Sequence, residues 1–440
     1  MESVKLGLAG FGTVGSGLAA ILEENGDWIE RRIGRKLEIR TAVVRDLNKA
    51  RAVNPGPDTE FTTDMTRLTT DPEIDIVVEC MGGLETAYDL IRTALEAGKH
   101  VVTANKHLLA ERGPELFSIA RKSGKGLYYE ASCAGGIPIV ETLKSSLAGD
   151  RVLEMLGILN GTANYILSEM TTKGMDFGTA LALAQDLGYA EADPTFDIEG
   201  FDTAHKLCVL SRLAFGVDYP LDRLPIQGIT SVTPLDIQFA REFGYRVKLL
   251  AHARSVEGRI EAGVHPALVP YTYLLARVGG NYNAVRVVGN AVGPVMLHGQ
   301  GAGDKPTGSA VLADILDIAK HMNRPGCEEA YRPDNTGFGN ADLPEADILP
   351  PEEARSKYYF RFTVADRPGV MAAIAKSMAD HSISIAQAVQ KTDEDSEGVP
   401  VVFISHESRA KDVTDCIEPS TPWTSRFCLA SASEFFKVST

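Results

Sequence analysis

"VKLGLAGFGTVGSGLAAIL", residues 4–22, is the stretch on which the reading of the fold turns. An apolar, strand-like run (4–9) leads straight into Gly10-Phe11-Gly12-Thr13-Val14-Gly15, and a helical pattern follows to Leu22. A G-x-G-x-x-G hexapeptide alone is a weak signal and can be a plain glycine-rich turn. Between a first strand and a helix it is a dinucleotide fingerprint. Gly10 permits the tight turn, Gly12 lets the backbone approach a pyrophosphate, and Gly15 lets helix and strand pack closely. The helix N-terminus then offers unpaired N–H groups to the phosphates.

Outward from this loop, apolar runs at 38–44, 75–80, 100–104 and 126–130 alternate with helical patterns such as 84–97 and 108–122. That alternation specifies an α/β, Rossmann-type doubly wound parallel sheet. The second strand ends Val43-Val44-Arg45-Asp46. A carboxylate there takes the ribose hydroxyls of NAD, and an arginine favours the 2′-phosphate of NADP. Both are present, so the choice stays open; Arg45 comes first, which tilts it towards NADP or dual use, and a plain surface pair is an equal alternative. From 151 to about 254 helices dominate, and strand-like runs return up to Gly303, as in an α+β domain. Residues 306–321 form one more amphipathic helix that can pack back on the first domain. The stretch 323–353, rich in Pro, Gly and acids, reads as a linker. After it, a strand at 358–364, a helix at 370–381 and strands at 383–390 and 399–406 give a β-α-β-β order, the start of a ferredoxin-like fold. The expected partition is 1–135 plus 304–322 for the dinucleotide-binding domain, 136–303 for a catalytic and dimerisation domain, 323–355 for the linker, and 356–440 for the last module.

Length agrees, since 440 residues exceed one ordinary core. A formal charge of -15 argues against a nucleic-acid partner, which calls for a basic surface. Six scattered cysteines without a C-x-x-C pair suit a reducing compartment and disfavour a zinc site or a disulfide framework. No apolar run approaches a membrane span, and nothing near residue 1 resembles a signal peptide. A cytoplasmic protein without a membrane partner is expected.

In an open parallel sheet, ligands sit beyond the carboxyl ends of the strands. Thr103-Ala104-Asn105-Lys106 places an ammonium there, where a nicotinamide would meet its substrate, although most lysines are merely solvated. The densest polar cluster is 188–206, "GYAEADPTFDIEGFDTAHK". Asp202 and Lys206 are four apart, on one helix face, among apolar neighbours. An exposed pair of this kind contributes only about 0.3–0.5 kcal/mol. A buried one is costly and needs a reason. A small amino-acid substrate supplies one, with acids for its ammonium and a lysine near its reacting oxygen. Asn160-Gly161-Thr162, between a strand-like run and a helix, can receive a carboxylate or serve as an ordinary N-cap.

Taken together, "GFGTVG" (10–15), "TANK" (103–106), "EASCAGGIPI" (130–139), "GILNGTANYIL" (157–167), "LGYAEADPTFDIEGFDTAHKL" (187–207) and "GAGDKPTGSAV" (301–311) make the chain resemble bacterial homoserine dehydrogenases of the long type, which carry a C-terminal ACT domain. The resemblance runs almost unbroken from residue 4 to about 320 and resumes near 357. It implies NAD(P)-dependent interconversion of L-aspartate 4-semialdehyde and L-homoserine, in threonine, methionine and isoleucine biosynthesis, by a homodimer or homotetramer. Lys106 and Lys206 match the catalytic lysines, without deciding which carries the proton. Glu191, Asp197 and Asp202 match acids that hold the substrate, and Gly161, Thr162 and Tyr189 match other substrate contacts. Residues 10–15, Arg45, Thr103, Lys106 and Gly301 match the cofactor's surroundings. Glu130, Cys133, Gly135 and Ile137 match a site for a monovalent cation, sodium or potassium, held mostly by backbone carbonyls. The family more often has Val at the position of Cys133, and commonly Phe and Asp at those of Tyr282 and Asn290. In the last module Asp366, Pro368, Gly369 and Val370 match an effector loop, with threonine the natural effector and oligomerisation alone the alternative.

Two rival readings remain. A phosphorylating semialdehyde dehydrogenase needs an acyl-forming cysteine with a histidine base, and Ser132-Cys133 fits that only superficially. A non-catalytic sensor of dinucleotide and amino acid has no need of both lysines.

Overall fold

A computed structural model describes residues 3–322, 335–339, 342–391, 398–418 and 434–438. Residues 323–334 and 340–341 of the expected linker, Cys327, Cys428 and the stretch 419–433 lie outside them. By compactness the chain divides into two units. The first comprises Met1–Gly161, Asp202–Leu224 and Tyr282–Ala346, and the second Thr162–Phe201, Pro225–Asn281 and Asp347–Thr440.

In the first unit, β1 (Val4–Ala9) is followed by α1 (Thr13–Ile33), β2 (Leu37–Val43), β3 (Glu60–Thr62), α2 (Thr66–Thr70), β4 (Ile76–Glu79), α3 (Glu85–Glu96), β5 (His100–Thr103), α4 (Lys106–Ser123) and β6 (Leu127–Tyr128). The strands pair in parallel in the order β3-β2-β1-β4-β5-β6. β4 and β5 are buried on both faces, which explains their unbroken apolar runs. The strand order reverses between β1 and β4, and the loops leaving these two strands meet there. A Cβ on Gly10, whose φ is +100°, would lie 2.9 Å from the Cys80 carbonyl oxygen. The short edge strand β3, which the sequence reading passes over, carries too few residues to show a period.

Next come α5 (Ile139–Glu141), β7 (Val152–Ile158), α6 (Gly161–Lys173), α7 (Phe177–Asp186), α8 (Thr195–Ile198), α9 (Phe201–Phe215), α10 (Pro234–Glu242), β8 (Tyr245–Val256), β9 (Arg259–Pro270), β10 (Tyr282–Gly289), β11 (Gly293–Gln300) and α11 (Asp304–His321). In the first unit β10 pairs antiparallel with both β7 and β11. Helix α11 lies along α1, and Leu18, Val311 and Ile315 join one core with Leu6, Leu8 and Val78 of the sheet. The approach is close enough that a Cβ on Gly308 would fall 2.7 Å from the Leu18 backbone nitrogen. In the second unit β8 and β9 form a long antiparallel ribbon. β8 begins well before 254, where the sequence reading places the change from helix to strand. Residues 247–253 are buried on both faces, and Lys248 and His252 are among them, so the expected alternation is lost.

The last module consists of β12 (Arg355–Val364), α12 (Val370–Asp380), β13 (Ile385–Gln390), β14 (Val399–Ser405), β15 (Ser408–Arg409), α13 (Ala410–Ile417) and β16 (Glu434–Val438). The order β16-β12-β14-β13 makes it a complete ferredoxin-like β-α-β-β-α-β sheet, of which the sequence reading found the first four elements. Tyr358, Phe360, Phe362, Ile374, Val401 and Phe403 fill its core. The module is continuous with the rest of its unit. β16 pairs in parallel with β9, through Lys437–Ala267 and Val438–Leu268. Arg361 of β12 makes a two-pronged pair with buried Asp236 of α10, at 2.6 and 3.1 Å, and the Tyr359 hydroxyl donates to the same carboxylate at 2.9 Å. Among the described residues no helix is long and apolar enough to cross a membrane.

Gly308→Val should lower the urea midpoint of unfolding, by the equivalent of about 1–3 kcal/mol typical of overpacking. An unchanged midpoint would show that α1 and α11 need no such closeness.

Candidate active site

Helix α1 starts at Gly12 without any side-chain cap, so its first N–H groups face the mouth of the 10–15 loop. A Cβ on Gly15 would overlap the Gly10 carbonyl oxygen at 2.5 Å, whereas one on Gly12 would meet nothing within 4 Å. The loop is therefore tight behind and open in front, a cradle into which a Gly12 side chain would project. That shape fits a pyrophosphate. Phe11 packs edge-on against Phe61 of β3 at 5.5 Å, and Thr13 and Val14 form the first turn. Arg45 is exposed at the end of β2. Beside it, Asp46 is occupied with its own turn and accepts the Asn48 N–H at 2.8 Å.

The carboxyl ends of β4 and β5 are laced together through Glu79, which the sequence analysis does not single out, and Thr103, which it does. Glu79 is fully buried. One of its oxygens accepts the N–H groups of Met81 and Gly82, at 2.7 and 3.0 Å, and the other accepts the Thr103 hydroxyl at 2.6 Å. Asn105 caps α4 by accepting from the Leu108 N–H at 3.1 Å and donates to the Gly83 carbonyl at 2.8 Å. These bonds fix the first residue of α4, which is Lys106.

Lys106 and Lys206 meet at one carboxylate. The Lys106 ammonium lies 3.2 Å from Asp202 Oδ1, and that of Lys206 lies 2.6 Å from Oδ2. Asn160 also donates to Oδ2, at 2.8 Å. Burial alone would push the Asp202 carboxyl up; the two lysines and the Asn160 hydrogen bond instead hold it well below the usual carboxylate range. Lys206 donates in addition to the Leu159 carbonyl at 2.7 Å, which Asn283 of β10 also approaches, at 3.0 Å. Lys206 is buried, and the Lys106 side chain is 39% exposed. Both ammonium groups are thus held at one carboxylate, Lys206 on a buried side chain and Lys106 on a partly exposed one.

Of the other sequence-picked substrate residues, Gly161 closes a segment of the first unit, and Thr162, Tyr189, Glu191 and Asp197 belong to the second. Thr162, in the first turn of α6, donates to the Tyr189 carbonyl at 2.7 Å, and the Tyr189 ring packs on Tyr165 at 4.9 Å. Glu191 is exposed, and among the described residues its carboxylate has no ion pair; Asp197 is half-buried in α8. Asp193 of the same cluster holds its own turn through Thr195, at 2.6 and 3.1 Å.

At 130–137, Glu130 spends its carboxylate on the N–H groups of Val140 and Glu141, at 2.9 and 2.7 Å, and burial pushes its pKa up to about 7. Ala134 and Gly135 both take φ of +56°, a conformation that costs free energy at the alanine. Among the described residues no hydrogen bond falls on the carbonyl oxygens of Cys133 and Gly135, two buried residues of this turn. Buried carbonyls normally find a partner. A Cβ on Gly135 would overlap the Gly301 carbonyl oxygen at 2.4 Å, so the 301–303 loop lies directly on this turn. Cys133 itself is fully buried, and its thiol is pushed up to about 12 by that burial. Such a thiol is a poor nucleophile.

A doubly wound nucleotide sheet with a glycine cradle, and a buried acid gathering two lysines beyond the strand ends, define an NAD(P)-dependent oxidoreductase acting on a CH–OH group. Residues 10–130 match the family described as homoserine dehydrogenase, NAD binding domain; 138–316 match homoserine dehydrogenase; and 358–418 match the ACT domain. The chain belongs to the homoserine dehydrogenase family. It is 42% identical to the homoserine dehydrogenase of Pseudomonas aeruginosa and 43% identical to that of Neisseria gonorrhoeae, with 95% of both chains covered in each comparison. The crystal structure of a homoserine dehydrogenase from Thiobacillus denitrificans superposes with a TM-score of 0.92 at 44% identity, over 100% of this chain and 99% of that one. A hyperthermophilic archaeal homoserine dehydrogenase in complex with NADPH superposes with a TM-score of 0.61 at 26% identity, over 73% of this chain and 99% of that one.

Iodoacetamide at neutral pH should leave dehydrogenase activity intact, with no alkylation of Cys133 in the native protein by mass spectrometry. Rapid inactivation with a label on Cys133 would favour acyl-cysteine chemistry instead.

Proposed function

We propose that the chain interconverts L-homoserine and L-aspartate 4-semialdehyde, in the biosynthesis of threonine, methionine and isoleucine. The observation that carries this reading is the Asp202 carboxylate held between Lys106 and Lys206. When bound, the nicotinamide supplies a hydride to the aldehyde carbon, or accepts it from the alcohol carbon in reverse. The chain's part is then to orient the substrate and to move one proton at the substrate oxygen. Lys206 gives two of its three N–H donors to Asp202 and the Leu159 carbonyl, which aims the third. Lys106, the more exposed of the two, can exchange its proton with solvent. Asp202 stays ionised and keeps both ammonium groups in place. Glu191 and Asp197 are suited to the substrate ammonium, and the N-terminal turn of α6, with Gly161 and Thr162, to its carboxylate. Because Asp46 holds its own turn, Arg45 is the group available to a 2′-phosphate, which favours NADP. The two buried, unpaired carbonyls of Cys133 and Gly135 suit a sodium or potassium ion. For the ACT domain, threonine at 366–370 is proposed as effector; residues 366–369 are exposed, the loop turns on Gly369, whose φ is +94°, and Val370 is buried in the module's core.

Initial rates of L-homoserine oxidation with NADP and with NAD, at alkaline pH, test the reaction and the cofactor choice together. Choline in place of sodium and potassium should slow it; an unchanged rate would remove the cation site. Lys206→Ala should cut kcat by about 10²–10⁴-fold while leaving the KM for cofactor nearly unaltered, and near-normal turnover would sink its role. Asp366→Ala should abolish threonine inhibition and spare activity, so inhibition that persists unchanged would put the effector elsewhere.

A further inference from the structure

Apart from the residues discussed so far, the second unit contains a cavity of about 730 Å³ lined by Arg241, Arg246, Arg277 and Lys248. These positions come from separate elements. Arg241 sits in the last turn of α10, Arg246 and Lys248 lie two apart on one face of β8, and Arg277 closes a short turn after β9. Among the described residues none of the three guanidinium groups has an ion pair or a side-chain hydrogen bond; Arg246 only lies over the Tyr271 ring, at 5.3 Å. The one carboxylate of the lining, Glu169, is engaged by Lys173 at 2.5 Å. Like charges gathered around one space repel, and several guanidinium forks without acids match the oxygens of phosphoryl groups. The volume exceeds what one phosphate needs and falls in the range of small-ligand sites, about 300–1,000 Å³.

We propose that this cavity is an anion site that takes an oligophosphate, a small molecule with two or more linked phosphoryl groups. Lys248 at its floor donates to the Val278 carbonyl and to Asn164 Oδ1, the latter at 2.9 Å, and Asn164 donates onward to the Gly280 carbonyl at 3.0 Å. Burial, together with Arg246, brings the Lys248 ammonium down to about 7, so an anion beside it would draw a proton onto it. Asn164 lies on α6, two residues after Thr162. On the other side, α10 is gripped by the ACT module, through Arg361 on Asp236 and Lys391 on Glu242. An anion that draws Arg241 and Lys248 inward therefore pulls on the substrate helix and on the helix held by the effector module. Occupancy changes the KM for homoserine and leaves kcat unaltered.

The test is calorimetric titration of the full-length protein with inorganic pyrophosphate and, separately, with ATP. It is run at matched ionic strength and with saturating NADP, so that the glycine cradle is filled. Binding of pyrophosphate would assign the site to a free oligophosphate, and binding of ATP alone to a nucleotide. In either case affinity should fall at least about 10-fold in Arg241→Gln/Arg277→Gln, whose parent side chains are exposed and unpaired, and in Arg246→Gln. The KM for homoserine should move by about 5-fold or more on saturation, within the usual range of coupling between sites. No heat with either probe, or heat unchanged in the variants, overturns the site, and binding without a change in KM overturns the coupling. Dissociation of the oligomer in the double variant, without loss of a titratable site, would overturn it in favour of an interface between copies. Only the KM arm rests on the proposed reaction, so the titration stands even if homoserine is not the substrate.

Discussion

A carboxylate withdrawn from water is tolerable only if its charge is met, and Asp202 is met from three directions. Removing one partner of such a buried ion pair typically costs about 3–5 kcal/mol. Its neighbours are therefore obliged to stay close: the start of α4 through Lys106, the first turns of α9 through Lys206, and the end of β7 through Asn160. The Leu159 carbonyl extends the demand to β10. One acid thus sets the relative positions of four elements, and two ammonium groups that would otherwise repel are brought to the same place.

The parallel sheet makes that gathering possible. Its strands deliver their carboxyl ends along one edge, and the loops leaving them are short enough to be fixed by a few hydrogen bonds. Glu79 shows how: one buried carboxylate ties the loop after β4 to the last residue of β5. Chemistry can then rest on side chains at helix starts, where backbone position is stiff, while an exposed position such as Glu191 is held by no ion pair among the described residues.

What could be read from the sequence was what depends on neighbours along the chain. The Gly10–Gly15 loop, the strand–helix alternation and the four-residue spacing of Asp202 and Lys206 are local patterns, and the structure repeats them. Lys106 was legible because a lysine closing a strand run has a defined place in this kind of sheet. Glu79 and Asn283 were not, nor was the bond of Asn160 to Asp202, since each depends on a partner dozens of residues away or more, and amides and acids are common in loops. β8 escaped because burial on both faces erased its alternation. The second half of the ACT module escaped because α13 is short and β16 follows it only after a long interval. Asp193 shows the converse, since composition drew attention to an acid that merely holds a turn.

The parallel pairing of β16 with β9 also bears on how the chain is made. Synthesis proceeds from the N-terminus, and domains generally fold as their segments emerge. Here β9 is complete by residue 270 and paired with β8, but it lacks its second neighbour until residues 434–438 have been made. The Rossmann core is likewise left without α11 until residue 321. Neither unit can close during most of translation, and the edge of β9 stays open for strand addition over that whole interval. A ribosome that stops early would release a chain with an unpaired strand edge, the kind of surface that aggregates or calls for a chaperone.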